Sequence, residues 1–144
     1  VDLKAAAPEL VRRFLEIVRH HGAEDRVVAA SFLRRPLARL RKAGWRGETS
    51  LARIDFLEAW LIPRFLQHAR KPGVRAQIPT RTGPFRFDTP RFLAKLRALG
   101  LKIDFWTIND PDEAKHLVAL GVDGIMTDDP ARIVPAVRGS VGQR

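Results

Sequence analysis

Asp2 and Lys4 stand two residues apart in the strand-like opening VDLK, so their side chains leave the backbone on the same face. A carboxylate beside an ammonium suits phosphodiester chemistry. The carboxylate offers a hard oxygen to a divalent cation such as Mg²⁺ or Ca²⁺, and the ammonium can neutralise a phosphoryl oxygen. The competing reading is an ordinary exposed ion pair, which spacing alone favours. Trp106 ends another strand-like run, where an aromatic side chain is more often core than ligand contact. Ser31 and Gln77 also fall at strand ends, where they can bond a ligand or cap a loop. Asp128 borders the same region, but Asp128-Asp129-Pro130 reads as a helix entrance, and that reading is preferred. Asp104 alternates with Ile103 and Phe105 and is left without a role. His20 and His21 fall at a helix end, and His68 and His116 lie within helical stretches. No histidine ends a strand, so no acid-base pair is legible.

The elements that must position these groups alternate strand with helix. The clearest unit is Leu101 to Pro130. Leu101 to Thr107 is a β-branched and aromatic run, and Asn109 and Asp110 form a turn. Pro111 fits the first helical position, and Asp110 with Glu113 has capping-box spacing. Gly121 stops that helix, and Val122 to Met126 is a second strand. Two strands joined by one helix make a parallel βαβ unit, whose ligands sit beyond the carboxyl ends of the strands. Upstream, Leu10, Val11, Phe14, Leu15 and Val18 follow helical spacing, and Arg26 to Ala30 reads as a buried strand. Leu33, Leu37 and Leu40 mark a second helix, and Trp45 to Ser50 gives a weak strand signal. Ile54 to Ala69 is helical with a break near Ile62, caused by Pro63. Lys71-Pro72-Gly73 is a turn, Val74 to Ile78 a strand, and Pro79 to Phe87 a loop. Asp88 or Thr89 caps a helix that starts at Pro90 and stops at Gly100. A last helix covers Ala131 to Val137. The domain is expected to span residues 1–138, with residues 139–144 a disordered tail.

Composition sets the outer limits. The chain has 144 residues, 45% hydrophobic and 29% charged, as in a globular protein. No apolar run approaches the roughly 20 residues that cross a bilayer. Asp2 and Lys4 interrupt any signal-peptide core, so a cytoplasmic location is favoured. There is no cysteine, which excludes disulfides and thiolate metal sites. The net charge of +10 would attract phosphate ligands, an anionic membrane surface or nucleic acid. Arginine is spread along the chain without aromatic residues interleaved in a basic patch, so no nucleic-acid partner is expected. Five strands and a weaker sixth are too few for an eight-stranded barrel, which usually needs roughly 250 residues. Completion by a preceding segment or by another chain would cover the open sheet edge. The missing initiator Met fits a fragment, a processed chain or a partly translated reading frame.

WTIN with its capped helix, then GVDGIMTDDP, resembles the last two βα units of the glycerophosphodiester phosphodiesterase family. The resemblance extends through AQIPTR (Ala76 to Arg81) and VVAASF (Val27 to Phe32) to VDLK at Val1 to Lys4. It implies an α/β fold, a parallel sheet of βα units forming the C-terminal part of a (βα)8 TIM-type barrel. It implies hydrolysis of a small-molecule phosphodiester to glycerol 3-phosphate and an alcohol. It implies Asp2 as a metal ligand in place of the family's usual Glu, Lys4 as a catalytic residue, and Trp106 facing the alcohol. Gln77 and Ser31 are carried as substrate-binding candidates. The family's His-Arg-Gly motif is absent, and with it the catalytic His pair and most of the metal site, so the isolated chain is expected to be inactive. The alternatives are a non-catalytic phosphate-binding βα remnant and a basic nucleic-acid-binding module. Upstream sequence containing His-Arg-Gly would separate the enzyme from the remnant.

Overall fold

Parallel backbone pairing organises the computed structural model, which describes residues 1–5, 7–61 and 73–141. The chain divides into two units, Val1–Ala76 and Gln77–Arg144.

In the first unit, Asp2 pairs with Ala30, Ala29 with Thr49, and Ser50 with Arg75, all in parallel. The bonds that hold this ladder include Leu3 N to Ala30 O at 2.7 Å and Ser50 N to Ala29 O at 3.0 Å. The weak strand signal before Ser50 is thus realised as pairing at Thr49 and Ser50. Among the described residues three helices accompany it: α1 (Pro8–His20), α2 (Arg34–Lys42) and α3 (Arg53–Leu61). Pro8 opens α1, where its missing N–H costs nothing. Val11, Phe14, Leu15 and Val18 then lie on one stripe and are buried. They pack with Leu3, Ala29, Leu40 and Trp45 into one core cluster. Phe14 and Trp45 meet at 5.1 Å between ring centroids, tilted by 52°. Burying one such Leu or Phe side chain stabilises by about 1.5–3 kcal/mol. Asp55, buried near the start of α3, accepts a bond from Ala52 N at 3.2 Å and pairs with Arg34. The expected break near Ile62, the rest of that helix to Ala69, and Lys71 and Pro72 of the turn lie outside the described residues.

In the second unit, β1 (Arg75–Ile78) contributes Gln77 and Ile78. There follow β2 (Arg81–Thr82), β3 (Phe85–Arg86), α4 (Pro90–Arg97), β4 (Lys102–Phe105), α5 (Pro111–Ala119), β5 (Gly124–Ile125) and α6 (Pro130–Val141). The sheet order is β1-β4-β5, with β4 and β5 parallel. Ile103 and Phe105 are fully buried on one side of β4, in a core that includes Leu93, Leu96, Leu117 and Ile133. Gly100 and Gly121 both take φ +73°, the left-handed conformation that lets the chain leave α4 and α5.

Three local expectations are corrected. The loop after β1 contains an antiparallel hairpin, with Arg81 opposite Arg86 and Thr82 opposite Phe85. Strands of two residues are too short to show a period of two in sequence. Asp110 caps α5, accepting from Asp112 N at 2.9 Å and Glu113 N at 2.8 Å. Glu113 accepts instead from Thr80 Oγ1 at 3.0 Å, which diverts the reciprocal side chain of the expected box towards the hairpin loop. Finally, α6 continues to Val141 rather than stopping at Val137, so Gly139 lies within the helix; residues 142–144 are outside the described part.

Two predictions test this packing. A Cβ at Gly124 would stand 2.4 Å from Asp104 Oδ1, a buried carboxylate that has little room to move. Gly124→Ala should therefore destabilise by about 1–3 kcal/mol in urea unfolding; a neutral result would refute the crowding. The second prediction concerns acid. Arg86 grips Asp88 with Nε to Oδ1 at 3.0 Å and Nη2 to Oδ2 at 2.6 Å. This bonding holds the Asp88 carboxyl below its ordinary range, against the opposing effect of burial. A depressed folded pKa gives stability that is present above the unfolded value and lost as pH falls through the folded one. Stability should decline below about pH 4. That decline should be shallower in Asp88→Asn, and only modestly so because Arg86 is largely exposed.

Candidate functional site

In the first unit the strand geometry puts Asp2 and Lys4 side by side, with Lys4 Nζ 2.5 Å from Asp2 Oδ2. The Lys4 side chain is 78% exposed and that of Asp2 35% exposed. A pair this wet contributes little net stability, so the ammonium can exchange its carboxylate for another anion at low cost. Phe32 was not singled out from sequence, yet its ring centroid is 5.9 Å from Lys4 Nζ. Phe32 is 55% exposed, so an apolar surface adjoins the ammonium. In sequence Phe32 shows as the aromatic end of the VVAASF stretch, directly after the strand-end Ser31. Ser31 is buried between backbones. Its hydroxyl donates to Leu3 O at 2.7 Å and accepts from Leu33 N at 3.2 Å. Those bonds tie the strand that carries Asp2 and Lys4 to the entrance of α2.

In the second unit Gln77 and Trp106 come from adjacent strands. Trp106 N–H donates to Ile78 O at 3.1 Å, which holds a half-buried indole just past the carboxyl end of β4. Gln77 Nε2 donates to Asp104 Oδ2 at 3.2 Å. The side chains of Gln77 and Asp104 therefore share one face of the sheet, and Gly124 beside them leaves space for the carboxylate. Asp104, undecided from sequence, is thus a buried acid on the same side of β4 as the position two residues later, Trp106.

The loops beyond β4 and β5 are clipped together by Asn109. Its Oδ1 accepts from Thr127 Oγ1 and from Asp128 N, each at 3.0 Å, and its Nδ2 donates to Asp128 Oδ2 at 3.2 Å. The preferred reading of Asp128 as helix cap is corrected by this arrangement. Asp129 takes that place, accepting from Arg132 N at 3.1 Å at the start of α6. A spacing argument does not separate two consecutive aspartates; the Asn109 clip draws one away and leaves the other at the helix.

A divalent cation asks for several oxygen ligands. Among the described residues no three Asp, Glu or His side chains group so as to hold one. Asp2 is of the right chemical type, but a single carboxylate already engaged by Lys4 does not make a cation site. Of the histidines, His20 and His21 meet edge to face at the end of α1, His116 is exposed on α5, and His68 lies outside the described residues. No helix among the described residues is long and apolar enough to cross a membrane.

Comparison with known proteins places these features. The model of the glycerophosphoryl diester phosphodiesterase family matches residues 2–132. The "Probable glycerophosphodiester phosphodiesterase 2" of Mycobacterium tuberculosis is 30% identical over 153 aligned positions, covering 96% of this chain and 55% of that protein. A "Glycerophosphodiester phosphodiesterase" of Caldanaerobacter subterraneus is 23% identical, covering 91% of this chain and 50% of its own length. A solved "putative glycerophosphoryl diester phosphodiesterase" of Silicibacter pomeroyi superposes with TM-score 0.67 at 25% identity, over 96% of this chain and 49% of that one. A solved glycerophosphodiester phosphodiesterase of Parabacteroides distasonis shares the fold, with TM-score 0.68 at 18% identity, over 97% of this chain and 57% of that one. The chain spans about half the length of the curated relatives it matches. Its fold is α/β, a parallel sheet of βα units corresponding to part of a TIM-type barrel. With the paired Asp2 and Lys4, the Trp106 strand end and the GVDGIMTDDP turn all inside the matched region, the chain belongs to the glycerophosphoryl diester phosphodiesterase family.

Proposed function

We propose that this chain serves the hydrolysis of glycerophosphodiesters to glycerol 3-phosphate and an alcohol, and that it does not carry the reaction alone. The observation that supports this reading best is the Asp2–Lys4 pair on one strand face, inside the region matched by the family. In the reaction, water adds to phosphorus, the bond from phosphorus to the alcohol oxygen breaks, and the leaving alkoxide takes a proton. Lys4 would neutralise charge growing on the phosphoryl oxygens, an electrostatic role that needs an ammonium free to change partners. Trp106 would pack on the alcohol portion. Ser31 and Gln77, the substrate-binding candidates, would act as positioning residues, Ser31 by fixing the Lys4 strand and Gln77 by holding Asp104.

A divalent cation, Mg²⁺ or Ca²⁺, belongs to this reading, with Asp2 as one oxygen ligand. One carboxylate is too few, so the other ligands would come from a preceding segment or another chain, as would the acid-base histidines.

The purified chain, assayed with glycerophosphocholine and added Mg²⁺ or Ca²⁺, should show no turnover above background. A longer polypeptide with a His-Arg-Gly segment upstream should turn over, since general acid-base help is worth about 10²–10⁴-fold. In that longer protein Lys4→Met should lower kcat by about 10²–10³-fold, the scale of one lost electrostatic contact in a transition state. Trp106→Ala should raise KM. Metal-dependent turnover by the 144-residue chain, lost in Asp2→Ala, would prove the site complete and the reading of shared catalysis wrong.

A further inference from the structure

Helix α2 breaks the usual rules for a helix of its size. Its sequence, RRPLARLRK, holds five cationic residues and no acid. Arg34 and Arg35 occupy the first turn, where the positive end of the helix dipole repels them, and Leu33 provides no side-chain cap. Part of this charge is absorbed within the first unit. Arg34 pairs with Asp55 and Glu58, and half-buried Arg41 donates to Thr49 Oγ1 at 2.7 Å. Arg35, Arg39 and Lys42 are not absorbed. They are exposed, spaced i, i+4 and i+7, and make no ion pair among the described residues. Pro36, Leu37 and Leu40 are buried on the other side, so the three cations form a stripe along the solvent face with only Ala38 among them.

The residues that lead into this helix are apolar and exposed, Phe32 at 55% and Leu33 at 52%. Exposed single hydrophobic residues are ordinary, but two in succession at the end of a basic helix are not. Lys4 adds its ammonium over the Phe32 ring at 5.9 Å. The apolar side of α2 is buried in the protein, but the cationic stripe, the apolar tip and a net charge of +10 are together complementary to an anionic lipid surface. Lys and Arg along the stripe would meet anionic headgroups, while Leu33 and Phe32 would enter the boundary of headgroup and acyl chain. A nucleic acid would use the charges but would leave Leu33 in contact with phosphate or water.

We propose that the solvent face of α2, with Phe32 and Leu33 at its tip, docks on an anionic lipid bilayer. The occupant is a membrane surface, and Lys4 lies beside the part that enters it. The proposal does not depend on hydrolytic activity, and its readout is binding alone.

The test is co-sedimentation of the full chain with vesicles of phosphatidylcholine alone and of phosphatidylcholine mixed with phosphatidylglycerol. Binding is expected to the anionic vesicles, and added salt should weaken it. Replacing the stripe by Arg35→Glu, Arg39→Glu and Lys42→Glu together should lower the partition coefficient by at least about tenfold. The same charge change in the second unit, Arg81→Glu, Arg91→Glu and Arg138→Glu, should lower it less. Leu33→Ser should weaken the binding that persists in high salt. Circular dichroism checks the fold of each variant; should the triple variant not fold, Arg39→Gln and Lys42→Gln singly carry the test, each with a smaller loss. The proposal is overturned by equal binding to neutral and anionic vesicles, or by equal loss in the two triple variants. It is also overturned if a DNA duplex binds the chain and the stripe variant loses that binding while keeping the vesicles.

Discussion

Met126 N–H donates to the Phe105 carbonyl at 2.9 Å, and Ile108 N–H returns to the Met126 carbonyl at 2.9 Å. These two bonds carry the parallel register past the ends of β4 and β5, and the chemistry assigned to the second unit depends on them. Parallel neighbours cannot be joined by a tight turn, so a helix must intervene between each pair. That requirement explains α5, whose Pro111 and Asp110 start it and whose Gly121 ends it. It also explains why Trp106, Asn109 and Thr127 gather at one end: each follows the carboxyl end of its strand. The Asn109 clip then fixes the two loops through side-chain bonds, where the backbone ladder no longer reaches.

The same constraint decides what can be read from sequence. The helical stripe of α1, the Thr89 cap of α4 and the β4–α5–β5 unit are legible because their signals are local and periodic. The hairpin of β2 and β3 is not, since two-residue strands show no alternation. Pairing at Thr49 and Ser50 is visible only as a weak run, because these positions are held by neighbours distant in sequence. Among the site candidates, the contact of Asp2 with Lys4 follows from strand periodicity. Phe32 beside Lys4 and Gln77 beside Asp104 do not, because each contact joins two strands. The Gly124 space for Asp104 is likewise invisible until the sheet is assembled; in sequence the glycine reads only as part of a turn motif.

Glu113 and Asp128 show a related limit. Each stands where a capping rule predicts a bond to its own helix, and each bonds a neighbouring loop instead. Local propensity specifies that a helix start needs an oxygen, and one oxygen from Asp110 or Asp129 suffices. The surplus carboxylate is then available to tie loops together. Both diversions occur beyond the carboxyl ends of the strands, where irregular loops have no ladder to hold them.

Helix α2 raises the opposite question, of a positive charge retained in a first turn that disfavours it. A first turn with two arginines is opposed by the helix dipole, and replacing Arg35 by an acid would favour the helix. Arg34 has a structural reason to remain, since it answers buried Asp55 and so completes the junction with α3. Arg39 and Lys42 stand in the last turn, where a cation complements the helix dipole, so Arg35 is the one of the three without such a reason within the described residues. The stability given up at Arg35, next to an exposed Leu33 and on one face with Arg39 and Lys42, is the observation that supports the proposed contact of that face with a lipid surface. An anionic surface is the partner for which both the charges and the apolar tip are favourable.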